Sequence, residues 1–103
     1  MSDQASRKLR PLDGVRIIDL STVLMGPLAT QILADYGADV IKVEPPQGDV
    51  MRNAGSMRHP KMGSLYIHSN RNKRSVVLDL KRPIARMALL QMCRTSDVLV
   101  HNI

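Results

Sequence analysis

The chain of 103 residues is long enough for one domain at most, or for part of one. Its apolar fraction of 44% is ordinary for a globular protein, and aromatic residues make up only 2%, so aliphatic side chains and methionines must build the core. No apolar run approaches the ~20 residues that span a membrane. The single Cys93 excludes an intrachain disulfide and fits a reducing compartment such as the cytoplasm.

The net charge of +6 is unevenly distributed along the chain. Residues 51–103 hold ten basic and two acidic side chains, so this half faces an anionic partner or lies in solvent. The first ten residues lack the apolar block of a secretory signal. We expect residues 1–10 to form a flexible leader and residues 11–103 to form one unit.

The first half of the chain predicts a strand, a turn, a helix and a second strand in close succession. Val15–Leu20 is rich in branched aliphatic residues and predicts a strand, as does Asp39–Glu44. Pro27 suits the first turn of the helix, and Gly37 suits a left-handed residue at its end. The helical apolar spacing predicts one buried face, formed by Ala29, Ile32, Leu33 and Tyr36.

The second half continues the alternation of helices and strands. It predicts a long loop at Gln47–Gly63, a short helix at Ser64–Ser69 and a basic turn at Arg71–Arg74. A strand at Ser75–Leu80, a helix from Pro83 onwards and a strand at Asp97–His101 follow. The apolar face of the last helix comprises Ala85, Ala88, Leu89, Met92 and Cys93. This order predicts an α/β fold with a Rossmann-like open parallel sheet. Because no helix follows the last strand, we expect the incomplete, N-terminal portion of a larger domain.

The first strand-to-helix turn is where open α/β folds place their ligands. A dinucleotide site needs G-x-G-x-x-G there and a P-loop needs G-x-x-x-x-G-K-[ST], whereas Ser21–Pro27 contains one glycine, Gly26. NAD and ATP are therefore disfavoured. The helix start after Gly26 offers N–H groups to an anion, and the alternative is that Gly26-Pro27 only makes the turn tight.

The stretch from Asn70 to Pro83 places five cationic side chains around one predicted strand. Such charge suits the phosphates of a ligand such as coenzyme A, and nucleic acid or plain solvent are its alternatives. The stretch has no interleaved aromatic residues for base stacking, which argues against nucleic acid.

The histidines and two aspartates give little evidence for a catalytic or metal-binding site. His59, His68 and His101 fit no metal-ligand spacing. Asp19 and Asp79 lie near the carboxyl ends of strands, where we expect turn or helix-capping roles.

Four motifs together resemble the amino-terminal part of one family: PLDGVRIIDL, GPLATQILADYGADVIKVEPPQGDVMR, SLYIHSNRNKRSVVLDLKRP and DVLVHN. This family is the class III coenzyme A transferases, whose members move CoA between carboxylic acids or racemise an acyl-CoA. The resemblance implies a CoA-transferase with acyl-CoA and carboxylic acid substrates. An acyl-CoA racemase, or a non-catalytic CoA-binding or interaction module, is the alternative.

The resemblance also implies a mechanism and an assembly. Transferases of this family use an aspartate that forms a mixed anhydride with the acyl group. That aspartate would lie beyond Ile103, so we expect no catalytic residue here and no activity from these residues alone. The resemblance further implies an interlocked homodimer, CoA as the acyl carrier, and no metal, nucleic acid or membrane partner.

The resemblance implies CoA contacts at three places; the transferases carry Gln-Ala at Leu24-Met25 and usually Phe at Ile103. The residue after Glu44 is an arginine in some members and Pro45 here, so that contact is not carried over. The stretch LDLK matches the family's L-D-[LM]-K. The implied CoA-binding residues are Leu24, Met25, Leu78, Asp79, Leu80, Lys81, Asn102 and Ile103.

The sequence also yields a stability prediction for the isolated chain. Incomplete sheets expose strand edges and apolar faces. We therefore expect thermal unfolding, followed by circular dichroism, to show a broad melt or aggregation. A sharp cooperative melt of a monomer would contradict this expectation.

Overall fold

A computed structural model describes residues 9–103 of the chain. The expected leader therefore lies outside the described residues except for Leu9 and Arg10. The backbone amide and the guanidinium group of Arg10 both donate hydrogen bonds to the Asp13 carboxylate. In chain order the elements are β1 (Arg16–Asp19), α1 (Met25–Asp35), β2 (Asp39–Glu44), a 3₁₀ helix (Val50–Asn53), α2 (Ser64–Ser69), β3 (Lys73–Val77), α3 (Pro83–Arg94) and β4 (Val98–Val100).

The four strands form one parallel sheet in the order β3-β2-β1-β4. Ile17 of β1 lies opposite Val40 of β2 on one side and Val98 of β4 on the other. The predicted α/β class and Rossmann-like parallel sheet are confirmed. From β1 the chain builds outwards through β2 and β3, and it then returns to the other side of β1 for β4. The carboxyl ends of β1 and β4 therefore flank a topological switch point, where such sheets bind ligands.

The helix α1 packs on the sheet with a different face from the predicted one. Ile32 and Tyr36 are 46% and 54% exposed, whereas Ala34 is buried in a core cluster with Ile17, Ala38 and Val40. The buried residues of the helix are Pro27, Thr30, Gln31 and Ala34. Of the predicted face, Leu33 packs against this core, whereas Ala29, Ile32 and Tyr36 are exposed. The helix is rotated from the predicted face because the Thr30 hydroxyl donates to Asp19 Oδ2 at 2.6 Å, and this partner makes a polar residue acceptable in the interface.

The third strand begins two residues earlier than predicted and ends three residues earlier. Lys73 starts β3 and does not belong to a basic turn, because its ammonium group reaches inward to Asp19 Oδ2 at 2.9 Å and to Asn70 Oδ1 at 2.7 Å. The segment from Leu78 to Leu80 therefore lies beyond the strand. It stays attached to β2, because the Leu78 amide donates to the Glu44 carbonyl at 2.9 Å.

The predicted boundaries of β2 and α2 are confirmed, and α3 starts at Pro83 as expected. In α3 Ala85 is buried, whereas Ile84, Met87 and Leu90 are among the most exposed apolar side chains. Within residues 9–103, no helix combines the length and the apolar character needed to cross a bilayer.

The glycine that ends α1 gives a testable prediction. Gly37 has φ +110°, and a β-carbon there would lie 2.6 Å from Asp13 Oδ1 and 2.8 Å from Arg10 Cβ. We expect Gly37→Ala to lower the free energy of unfolding by about 2–4 kcal/mol in urea titrations of the complete chain, as its gene encodes it, through both strain and overlap.

The matched control is Gly14→Ala, because Gly14 has φ +89° and its β-carbon would meet nothing within 4 Å. This variant should cost only the backbone strain of about 1 kcal/mol. An equal decrease in the free energy of unfolding for the two variants would show that small shifts of the neighbouring side chains relieve the overlap at Gly37.

Candidate functional site

A cleft of about 800 Å³ lies at the carboxyl edge of the sheet. Three chain segments form most of its walls: Leu20 and Thr22 follow β1, Pro45–Gln47 follows β2, and Leu78–Lys81 follows β3. Val43 and Glu44 at the end of β2, and Ile103 after β4, complete the lining. The cleft therefore lies beside the switch point and has the size of a small-molecule site.

The structure brings together five of the eight predicted CoA-binding residues. Leu78, Asp79, Leu80, Lys81 and Ile103 all line this cleft. Leu24 and Met25 are exposed at the start of α1 and are not part of its lining. Asn102 lies beside the cleft and binds protein backbone instead: its side-chain amide accepts from Thr22 N at 3.2 Å and donates to Thr22 O at 2.8 Å.

The wall from Leu78 to Lys81 is held by neighbouring polar groups. Asp79 Oδ1 accepts from the Lys81 amide at 3.2 Å, as expected for a turn carboxylate. Arg86 of α3 donates from Nη1 to the carbonyls of Leu80 and Lys81, at 3.0 and 3.3 Å. Sequence reasoning missed Arg86. Its position in the first turn of the helix that starts at Pro83 indicates that its side chain can reach the segment preceding the helix. The exposed Lys81 ammonium forms no ion pair with any described carboxylate, so it can meet an anion in the cleft.

Much of the predicted basic stretch is neutralised within the fold. Arg71 pairs with Asp35 at 2.9 Å, Lys73 with Asp19 at 2.9 Å and Arg74 with Asp39 at 2.7 Å. Of the five cations between Asn70 and Pro83, Lys81 and Arg82 are left without an ion pair among residues 9–103. Of these two, Lys81 lines the cleft, so this stretch offers one unpaired positive charge there.

The turn between β1 and α1 is tight and strained. Val23 adopts φ +69°, which is unfavourable for a β-branched residue. A β-carbon at Gly26 would lie 2.5 Å from Ser21 Cβ, so the residue must be glycine for the turn to close. The tight turn therefore requires glycine at Gly26, and Asn102 holds the same turn from the end of β4.

Asp19 at the end of β1 has a structural role, as expected. Its buried carboxylate accepts hydrogen bonds from the backbone and hydroxyl of Ser21, the hydroxyl of Thr30 and the ammonium of Lys73. Burial alone would raise the pKa of Asp19, but these hydrogen bonds together hold the pKa below its ordinary value of 3.8. Asp19 is therefore an ionised group committed to β1, α1 and β3.

Glu44 at the end of β2 is the most heavily engaged carboxylate at the cleft. It is 2% exposed, and Arg52 donates to its two oxygens from Nε and Nη2, both at 2.8 Å. The Asp49 amide donates to Oε1 at 3.0 Å, and the Ser75 hydroxyl donates to Oε2. Burial opposes ionisation, yet Arg52, Ser75 and the Asp49 amide lower the pKa of Glu44 from 4.5 to about 2.

Tyr66 of α2 completes the surroundings of Glu44. The guanidinium carbon of Arg52 lies 3.9 Å from the centre of the Tyr66 ring, and Arg52 Nη2 donates to the hydroxyl at 2.7 Å. Burial and the nearby Glu44 carboxylate raise the pKa of Tyr66 to about 12. Sequence reasoning did not single out this cluster, because Glu44, Arg52 and Tyr66 belong to a strand end, a 3₁₀ helix within the predicted loop, and α2.

The described part of the chain contains no group of three or more His, Cys, Asp and Glu side chains placed to hold a metal ion. The three histidines remain apart, at His59 in the loop, His68 in α2 and His101 after β4.

Comparison with known proteins identifies the family. The model of CoA-transferase family III matches residues 12–103, so the chain belongs to that family. The chain is 50% identical over 96 residues to a formyl-CoA:oxalate CoA-transferase of Rhodopseudomonas palustris, covering 90% of this chain and 22% of that protein. It is 46% identical over 109 residues to a succinate–glutarate CoA-transferase of Agrobacterium fabrum, covering 99% and 27%.

Solved structures agree with this assignment. A CAIB/BAIF family protein from Brucella suis superposes with a TM-score of 0.86 at 34% identity, covering 93% of this chain and 26% of that one. Rv3272 from Mycobacterium tuberculosis gives a TM-score of 0.83 at 39% identity, covering 90% and 26%. The chain spans about a quarter of the length of the relatives it matches.

The lowered pKa of Glu44 predicts a pH dependence of stability. Because folding lowers the pKa from 4.5 to about 2, the ionised form stabilises the fold. This stabilisation is complete above about pH 5 and is lost as the pH falls towards 2. Urea unfolding of the complete chain, as its gene encodes it, at a series of pH values should show the decline. Glu44→Gln should be less stable near neutral pH and should decline less steeply below pH 5; parallel curves for the two proteins would contradict the assignment.

Proposed function

We propose that this chain forms the CoA-binding part of an enzyme that transfers CoA between carboxylic acids. One observation carries the proposal: the family-like stretch Leu78–Lys81 forms a wall of the cleft at the switch point. The family assignment is consistent with this function, since the relatives named above are CoA-transferases.

The residues of the cleft fit the chemistry of CoA. Leu20, Pro45 and Leu80 offer apolar surface for the adenine ring, while Lys81 offers a positive charge for a phosphate. Asn102 would act through the turn that it holds, and Ile103 would contact the ligand from the end of β4.

The transfer chemistry requires a carboxylate that is free to attack. In the proposed reaction an aspartate adds to the thioester carbonyl, the CoA thiolate leaves, and a mixed anhydride remains on the enzyme. The carboxylates of Asp19 and Glu44 are each held by several hydrogen-bond donors and are committed to the fold. In the proposed reaction the acyl-accepting aspartate is a residue outside these 103, as the family resemblance implies.

The charge distribution favours CoA over nucleic acid as the anionic ligand. Three of the cations in the basic stretch pair with Asp35, Asp19 and Asp39, which reduces the charge that this stretch can offer to a nucleic-acid backbone. A single free ammonium at the wall of a cleft suits a compact phosphate group better.

The proposal is tested by titrating CoA into the complete chain, as its gene encodes it, with isothermal calorimetry. Lys81→Ala should weaken CoA binding about tenfold or more, because a hydrogen-bonded charge contributes about 1.5–3 kcal/mol. Arg94→Ala is the control: it also removes one positive charge, from the far end of α3, and it should leave the affinity unchanged. Unchanged affinity in Lys81→Ala would reject the assigned role of this lysine, and failure of the parent protein to bind CoA would reject the function.

A further inference from the structure

Two walls of the cleft meet at a single residue, Glu44. Its backbone carbonyl accepts from the Leu78 amide at 2.9 Å, which fixes the start of the Leu78–Lys81 wall. Its carboxylate holds Asp49 and Arg52, which follow the Pro45–Gln47 wall. The position of one wall relative to the other therefore depends on the contacts of Glu44.

The Pro45–Gln47 wall is a short segment stretched between two buried anchors. At its beginning stands Glu44, and at its end Asp49 lies 2.8 Å from the Lys42 ammonium, with both of these side chains only 1% exposed. The Gly48 amide donates to the Pro45 carbonyl at 2.8 Å and closes the turn. The segment thus has little freedom of its own, and its place is set by the anchors.

Arg52 stabilises the position of the Pro45–Gln47 wall relative to Glu44. Its guanidinium group donates to both carboxylate oxygens of Glu44 in a forked contact and stacks on the Tyr66 ring. A β-carbon at Gly48 would lie 3.0 Å from Arg52 Cδ, so the aliphatic part of the arginine also packs directly against the turn. A lysine would keep the charge but would lose the fork and the stacking plane.

We propose that Arg52 and Glu44 are positioning residues that set the spacing of the Pro45–Gln47 and Leu78–Lys81 walls and thereby the affinity for CoA. The inference rests on the proposed function, because Glu44 lines the same cleft and Arg52 acts on that cleft through Glu44.

The test compares two arginine-to-lysine variants of the complete chain, as its gene encodes it. Arg52→Lys breaks the forked contact with buried Glu44, whereas Arg71→Lys changes the exposed pair with Asp35 and is the matched control. We expect Arg52→Lys to weaken CoA binding about tenfold in calorimetry, at a temperature where circular dichroism shows both variants folded. Arg71→Lys should bind like the parent.

A second readout separates positioning from a general loss of stability. In heteronuclear NMR spectra without ligand, Arg52→Lys should shift the amide signals of Gln47 and Leu78, and Arg71→Lys should leave them in place. If Arg52→Lys does not fold, Ser75→Ala tests the same point, because it removes one donor to Glu44 from an exposed residue. It should shift the same amides and weaken binding to a smaller degree.

The outcomes distinguish this inference from the proposed function. Binding of CoA by the parent protein, with equal affinity in the folded Arg52 or Ser75 variant, would overturn the positioning role and leave the function standing. Absence of binding by the parent would overturn both. Weakened binding with shifted Gln47 and Leu78 signals, and neither change in Arg71→Lys, would establish the positioning role.

Discussion

Pairing of buried charges at the carboxyl edge of the sheet is the constraint on which the structure depends. Asp19 and Lys73 are almost completely buried, and their ion pair joins β1 to the start of β3 across the intervening strand. Lys42 and Asp49 form a second such pair, between β2 and the loop that follows it. Removing one partner of a buried pair costs about 3–5 kcal/mol, because the other charge is left uncompensated. These pairs therefore hold strands, helix and loop in one arrangement.

The sequence predicted the elements better than their contacts. β2 and α2 were assigned with correct boundaries because branched residues, prolines and glycines mark them locally. The buried face of α1 and the start of β3 were missed for one physical reason. Thr30 and Lys73 are polar and are buried only because Asp19, distant in sequence, supplies their partner. Apolar spacing cannot reveal a residue whose burial depends on a hydrogen bond to another segment.

The candidate site shows the same division. Leu78–Lys81 and Ile103 were recognised from motifs, and the fold brings them to one cleft. Arg52 and Arg86 escaped notice because they bind a carboxylate or backbone carbonyls at the back of the walls. In the sequence they are two of many basic residues in the second half. Only the three-dimensional arrangement separates those that hold the site from those that lie in solvent.

The strained turn that contains the left-handed Val23 depends on a contact with a residue far along the chain. A β-branched residue in this conformation carries a strain of about 1–3 kcal/mol, which surrounding contacts must offset. One of those contacts comes from Asn102, which grips the neighbouring Thr22 from 80 positions further along. Before Asn102 has been synthesised and β4 has docked beside β1, the turn after β1 lacks this restraint. The geometry of the first turn is therefore coupled to the pairing of β4 with β1.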